Sequence, residues 1–137
     1  MTGETVEEIR DGTGNLLALI VRGAYRPGGV DFVSAPDQAL QLAVSHYPGG
    51  QRIRPHAHPP RTITVDRVEE VVHLRRGRIA VDLYDAGDKV VKTVQLAAGD
   101  TIVLSSGGHG FSILEDTDIL EVKQGPYAGS GADKRYL

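Results

Sequence analysis

Turn signals divide this chain into short segments, and their spacing constrains the fold more than any other feature. Turns rich in Gly, Pro, Asn or Asp recur about every eight to twelve residues, and the segments between them are rich in Val, Ile, Leu and Thr. This rhythm is typical of an antiparallel sandwich or barrel and argues against a βαβ fold. We therefore predict an all-β chain, with a short helical turn near 36–40 and strands at 6–10, 16–22, 40–47, 68–74, 79–84, 90–96, 101–104, 111–114 and 119–124.

The length of 137 residues is that of one ordinary domain. We predict a single domain over 1–137, with an N-terminal hairpin at 1–24 and a loose, Gly-rich tail at 125–137. Because 40% of the residues are hydrophobic, a core can form without disulfides or a structural metal. A bound metal ion would then serve chemistry more plausibly than folding.

The charge pattern excludes a nucleic-acid-binding surface of the usual kind. The chain has 15 Lys and Arg against 18 Asp and Glu, whereas such proteins carry a concentrated basic stripe. Its densest basic patch, at 75–78, is interpreted as a solvated hairpin rim. The longest apolar run, 16–21, is too short to span a bilayer, and residues 1–11 do not resemble a signal peptide. We expect a cytoplasmic protein with no nucleic-acid or membrane partner.

Histidines are the candidate metal ligands. The chain has no cysteine, so imidazole, carboxylate or water must bind any ion. His56 and His58 are separated by one residue, and alternate residues of a strand face the same side. We predict that these two side chains converge on one ion. His46 and His73 are interpreted as structural.

Two glycine-flanked segments extend this pattern. The first is Gly50-QRIRP-His56-Ala57-His58 followed by Glu70-VVHLRR-Gly77, and the second is Gly99-Asp100-TIVLSSGG-His109. Together they resemble the two sequence motifs of the cupin family, and the surrounding strands extend the resemblance over nearly the whole chain. The resemblance implies a cupin double-stranded β-helix, a jelly-roll barrel of two antiparallel sheets. It also implies one divalent metal ion inside, with the ligands His56, His58, Glu70 and His109.

The chain departs from the family pattern at two places. Eleven residues separate His58 from Glu70, more than the pattern has, so 59–67 is expected to form an enlarged loop. The second motif is shorter than usual, and Ser105 stands where the family commonly has Pro. Glu69 is the rival carboxylate ligand, but the spacing to Gly77 favours Glu70, and strand alternation turns Glu69 to the opposite face.

Basic residues near the predicted ion suggest an anionic substrate. Arg52 and Arg54 share the parity of the two histidines, and Arg61 lies on the enlarged loop. A guanidinium binds carboxylate or phosphate through paired hydrogen bonds. On the last predicted strand, Glu121 and Lys123 share one face and are candidate acid–base or substrate groups. The sequence does not decide whether that face points inward.

Three imidazoles and one carboxylate leave coordination positions open on a five- or six-coordinate ion, which favours an enzyme over a structural site. In the cupin family this ligand set occurs in dioxygenases, sugar and sugar-phosphate isomerases, decarboxylases and lyases, so the resemblance implies one of these reactions. Our first prediction is an Fe(II)-dependent oxygenase acting on a small polar or anionic metabolite, with Arg61 or Arg54 anchoring the anion. Zn, Ni, Mn and Cu are alternative ions.

Two other functions stay open. The segments 107–111 and 121–127 are similar to those of small single-domain cupins found with bacterial sugar-nucleotide and polysaccharide enzymes. A metal-dependent sugar or sugar-nucleotide isomerase or epimerase would use Glu121 or Lys123 to move a proton. The third possibility is a non-catalytic, metal-dependent module that binds a metabolite. The resemblance further implies a homodimer.

Overall fold

The computed structural model describes residues 5–137, so residues 1–4 of the predicted N-terminal hairpin lie outside the described residues. Strands account for 41% of the structure and helix for 3%. Within the described part, the strands form three antiparallel sheets, none of which closes into a barrel. The predicted all-β class is confirmed at this level.

The described residues contain ten strands and one short helix. In chain order they are β1 (Val6–Arg10), β2 (Leu16–Val21), β3 (Val30–Phe32), β4 (Ala43–Ser45), β5 (Glu70–Arg76), β6 (Arg78–Tyr84), β7 (Val90–Ala97), β8 (Thr101–Leu104), β9 (Gly108–Ile113), β10 (Asp118–Lys123) and α1 (Ser130–Asp133). They belong to two units. Among the described residues, the larger unit comprises 5–25 together with Val68–Leu137, and the smaller one is Arg26–Arg67.

The larger unit contains a five-stranded sheet, in the order β1-β2-β8-β5-β10, and a three-stranded sheet, in the order β7-β6-β9. Both sheets contribute side chains to one apolar core. On β6 alternate residues are buried, as expected for a strand with one face inward. Each buried Leu, Ile or Val contributes about 1.5–3 kcal/mol of transfer free energy. The largest fully buried core side chains are Leu17, Ile20, Val72, Leu74, Ile79, Val81, Leu83, Leu96 and Ile102.

Strand β5 connects the core to the polar end of this unit. Val72 and Leu74 are fully buried, and Glu70 lies on the same face by strand alternation. On one side β5 pairs with β8, where Glu70 is opposite Leu104. On the other side it pairs with β10, where Glu70 is opposite Lys123 and Val72 is opposite Glu121. This register sets the face on which both β10 side chains lie.

A buried carboxylate, Asp100, fastens the turn between β7 and β8 to the end of β2. Its Oδ1 accepts a hydrogen bond from the Gly23 N–H at 2.8 Å. Its Oδ2 accepts from the Ala97 N–H at 2.9 Å and from Arg22 Nη1 at 3.1 Å. A Cβ at Gly23 would lie 3.0 Å from the backbone of Gly99. The close approach of these two glycines is what lets the carboxylate reach its donors.

The smaller unit is a two-stranded sheet followed by irregular chain. β3 and β4 pair antiparallel, with Val30 opposite Ser45 and Phe32 opposite Ala43. The connection between them is held by the Gln41 side chain, whose Nε2 donates to the carbonyl oxygens of Ala35 and Gln38 at 2.9 and 2.7 Å. From residue 46 to residue 67 the chain contains no strand or helix.

Several predicted boundaries are corrected by the structure. The predicted strand at 40–47 is too long at both ends, because its partner β3 offers only three residues for pairing. β3 itself, which follows a Pro-Gly-Gly sequence, is not among the predicted strands. At 36–40 the structure has a hydrogen-bonded turn, with the Gln38 N–H donating to the Ala35 carbonyl at 3.0 Å, in place of the expected helical turn. Within the tail, residues 130–133 form α1.

Replacing Gly77 with Ala is expected to destabilise the larger unit by about 2–3 kcal/mol. Gly77 joins β5 to β6 at φ 95°, and a Cβ there would collide with the Asp116 carbonyl oxygen and with Thr117. Urea denaturation measures the change. Gly12→Ala is the matched control, because the φ of Gly12 is not positive and a Cβ added there would have no atom within 4 Å. Equal stability of the two variants would contradict the strain argument.

Candidate metal and substrate site

The larger unit contains a cavity of about 840 Å³ at the polar end of its core. Its walls come from both sheets and from the C-terminal segment. Tyr84 and Phe111 supply aromatic surface. The charged and imidazole side chains that line it are Glu70, Asp85, Asp88, His109, Glu121, Lys123, Asp133, Lys134 and Arg135. Four of these nine, namely Glu70, His109, Glu121 and Lys123, are residues that the sequence indicates as candidate ligands or acid–base groups.

Glu70 and His109 meet in this cavity from opposite sheets. Glu70 lies on β5 of the five-stranded sheet and His109 on β9 of the three-stranded sheet. The His109 Nε2 atom is 3.5 Å from Glu70 Oε2. The imidazole stacks on Phe111, with ring centroids 5.4 Å apart and an interplanar angle of 28°. Two of the four predicted ligands therefore converge.

Burial shifts the pKa values of this pair in opposite directions. Desolvation, followed by the negative charge of Glu121, raises the pKa of Glu70, although the Lys123 ammonium opposes the rise. Desolvation lowers the pKa of His109, with partial opposition from Glu121. A neutral imidazole keeps a lone pair for a metal ion. Two neighbouring carboxylates are an arrangement that a cation stabilises.

The face of β10 that the sequence left undecided points into the cavity. Glu121 and Lys123 both line it, whereas Leu120 and Val122 lie on the other face and are each 54% exposed. The Lys123 Nζ donates a hydrogen bond to Asp133 Oδ2 at 2.7 Å. This contact and the nearby acidic charges raise the pKa of Lys123. A carboxylate and an ammonium are thus available beside Glu70 and His109.

Residues 130–137, which we name the C-terminal strap, form one wall of the cavity. Asp133 pairs with Lys123, and the Arg135 guanidinium binds the Asp88 carboxylate through two hydrogen bonds of 2.9 and 3.1 Å. These hydrogen bonds lower the pKa of Asp88. The sequence pattern does not predict these contacts. The only signal for them was the alternation of Asp, Lys and Arg at 133–135.

Glu69, the rival carboxylate ligand, has a structural environment. Its side chain is fully buried, and its Oε2 accepts a hydrogen bond from the Ser105 hydroxyl at 2.8 Å. Its backbone N–H donates to Gln124 Oε1 at 2.9 Å. The residue at which the sequence resemblance predicts Pro is thus a Ser, and its hydroxyl is a hydrogen-bond donor to a buried acid.

The other two predicted ligands lie in the smaller unit. The rings of His56 and His58 are 5.4 Å apart between centroids, in an edge-to-face arrangement. The Arg54 carbonyl oxygen is 2.8 Å from His56 Nδ1. Because a carbonyl only accepts, Nδ1 carries the proton, which leaves the lone pair on Nε2. Metal-ligating histidines commonly have such a partner on the second nitrogen.

The predicted substrate arginines also belong to the smaller unit. Arg61 lines a shallow surface pocket together with His58 and Pro59. Arg52 and Arg54 lie in the irregular segment that precedes His56. Among residues 5–137, no three His, Asp or Glu side chains are grouped closely enough to hold a metal ion. The four-ligand set takes two residues from each unit and stays a prediction.

The two remaining histidines, His46 and His73, are not among the predicted metal ligands. His73 lies opposite Leu120 on the outer face of β5 and β10, and its Nδ1 is 2.9 Å from Thr101 Oγ1. His46 follows β4, and its backbone N–H donates to the Gly29 carbonyl at 2.8 Å.

No protein-family model, curated protein or solved structure matches this chain. No helix within residues 5–137 has the length and apolarity required to cross a membrane.

Replacing Ser105 with Ala is expected to lower the free energy of unfolding by about 1–3 kcal/mol, because it removes a hydrogen-bond donor to the buried Glu69 carboxylate. Thermal or urea denaturation measures the loss. Ser112→Ala on β9, at an exposed position, is the matched control. A Ser105 variant as stable as the Ser112 variant would show that Glu69 does not depend on this hydroxyl.

The strap contact between Asp88 and Arg135 is expected to weaken in acid. Because the pKa of Asp88 is lowered in the folded state, the contact contributes above the ordinary Asp pKa and is lost as the pH falls through the lowered one. We expect ¹⁵N relaxation at residues 135–137 to show greater mobility at pH 3 than at pH 6. Asp88→Asn should show that mobility at pH 6 already, whereas Asp116→Asn, in an exposed turn, should not. A rigid strap in the Asp88 variant would contradict this assignment.

Proposed function

We propose that this chain is a cupin-type, metal-dependent enzyme acting on a small polar or anionic metabolite. The proposed fold is a single cupin domain, a jelly roll of two antiparallel sheets. Support comes from the larger unit, in which a five-stranded and a three-stranded antiparallel sheet share one core. The observation that carries the functional proposal is the convergence of Glu70 and His109, from opposite sheets, at a cavity beside that core.

We further propose that His56 and His58 complete the ligand set. β9, which carries His109, forms one edge of its sheet. If residues 52–58 extend as a strand along that edge, alternation places both histidines on one face. The proton on His56 Nδ1, held by the Arg54 carbonyl, leaves Nε2 for the ion. Arg52 and Arg54 would then have the parity needed to line the same interior.

The donor set fits a divalent cation of the first transition series. Imidazole suits Fe, Zn, Ni, Mn and Cu, and a carboxylate adds a hard, anionic ligand. The ion would act as a Lewis acid and template. Among these ions we favour Fe(II), and we propose that the Fe(II)-loaded protein is an oxygenase. Arg61 or Arg54 would bind the anionic group of the substrate, and the walls formed by Tyr84 and Phe111 would limit the access of water.

A metal-dependent sugar or sugar-nucleotide isomerase or epimerase is the second candidate. The observation that favours it is the position of Glu121 and Lys123 in the cavity, beside Glu70 and His109. Glu121 would accept a proton from a carbon next to a carbonyl, and Lys123 would donate one to the carbonyl oxygen. As partners we propose the small-molecule substrate and a second copy of the chain in a homodimer.

We expect the metal-free protein to bind one Co(II) ion per chain, followed by its visible absorption. His58→Ala and Glu70→Gln should each weaken Co(II) binding on the order of 100-fold or more. Mutating a residue that only supports a metal ligand already lowers metal affinity by about 10–100-fold, and removal of the ligand itself should lower it at least as much. His46→Ala is the control, since it removes a histidine outside the ligand pattern. If the His58 and His46 variants bind Co(II) equally well, the four-ligand set is wrong.

The reaction class is then tested on a panel of small carboxylates, sugars and sugar phosphates. Substrate-dependent oxygen consumption by the Fe(II)-loaded protein supports the oxygenase. Incorporation of deuterium from solvent next to a carbonyl, abolished in Glu121→Gln, supports the isomerase. Tight binding without turnover in either assay would overturn both and leave a metabolite-binding module.

A further inference from the structure

The C-terminal strap joins the two sheets of the larger unit across the cavity. Asp133 is bound by Lys123 of β10, in the five-stranded sheet. Arg135 is bound by Asp88, in the turn between β6 and β7 of the three-stranded sheet. Beyond them, Leu137 packs on β9, since a Cβ at Gly108 would lie 2.7 Å from its Cδ1. The residue between the two ion pairs is Lys134.

Lys134 differs from the other cations of the strap region in having no carboxylate partner within the described chain. It lines the cavity, and its backbone N–H donates to the Ser130 carbonyl at 2.9 Å. Within residues 5–137, its ammonium has no hydrogen bond or ion pair, whereas the cationic groups of Lys123 and Arg135 are engaged. Desolvation raises the pKa of Glu70 and lowers that of His109, and the charge of Lys134 opposes the first shift and adds to the second. The ammonium is therefore close enough to Glu70 and His109 to interact with them electrostatically across the cavity.

We propose that Lys134, in addition to Arg61 or Arg54, binds an anionic group of the substrate, and that the strap holds this ammonium over the cavity. The two flanking ion pairs fix the strap without using Lys134. An ammonium offers three donors to a carboxylate or phosphate oxygen, and hydrogen bonds between charged groups are about twice as strong as neutral ones. The ligand class is an oxyanion-bearing metabolite. Its description as a substrate rests on the proposed function.

The test measures binding of two simple oxyanions, acetate and methylphosphonate, by NMR titration at constant ionic strength. Both the metal-free and the Zn(II)-loaded protein are titrated. We expect shifts at residues 130–137 and on β9, and binding about fivefold weaker in Lys134→Gln. Lys134→Arg should retain binding, because it keeps the cation. Lys92→Gln on β7 removes the same charge outside the cavity and should bind as the wild type does.

The proposal is overturned if Lys134→Gln binds both anions as well as Lys92→Gln, or if neither anion shifts the strap. It is also overturned if Lys134→Arg loses binding as Lys134→Gln does, since the charge would then not be the cause. The stronger of the two probes identifies carboxylate or phosphate as the recognised group. If Zn(II) does not bind, the four-ligand proposal fails, while the metal-free titration still decides the role of Lys134.

Discussion

The alternation of side chains along β5 is the constraint on which both the core and the candidate site depend. Val72 and Leu74 are fully buried between the two sheets of the larger unit, and a period of two places Glu70 on their face. The same pairing register brings Glu121 and Lys123 of β10 beside it. A shift of one residue would turn the carboxylates outward and expose the apolar side chains. Core packing therefore fixes the position of the polar cluster.

The acids Asp100 and Glu69 differ from Glu70 in whether hydrogen-bond donors or a second carboxylate surround them. Asp100 accepts three hydrogen bonds around one turn, and Glu69 accepts one from the Ser105 hydroxyl. A buried carboxylate is tolerated when protein donors replace the hydrogen bonds that it made with water. Glu70 instead loses water and faces a second carboxylate, that of Glu121, which together raise its pKa. Groups left in such an environment are more typical of functional sites than of structural ones.

Much of the fold could be predicted from the sequence because its turns are punctuated by Gly, Asp and Pro. β1 and β8 agree with the predicted strands at both ends. The three-residue β3 could not be predicted, since it is stabilised by pairing with β4 and not by its own pattern. The convergence of Glu70 with His109 could be expected from the two glycine-flanked segments and from the alternation of side chains along strands. Which face of β10 points inward could not be predicted, because it depends on the register of β10 against β5, which is irregular between Asp118 and Ile119.

The charge distribution in the cavity connects the proposed ion to the proposed anion. Lys123 is compensated by Asp133, and Arg135 by Asp88, so the other charged side chains that line the cavity are Glu70, Asp85, Glu121 and Lys134. Without a cation, the carboxylates of Glu70 and Glu121 offset part of the attraction between the Lys134 ammonium and an approaching anion. A divalent cation would compensate them and strengthen that attraction. The same residues thus favour tighter anion binding once a metal ion has bound, and this preference follows from the arrangement of charges alone.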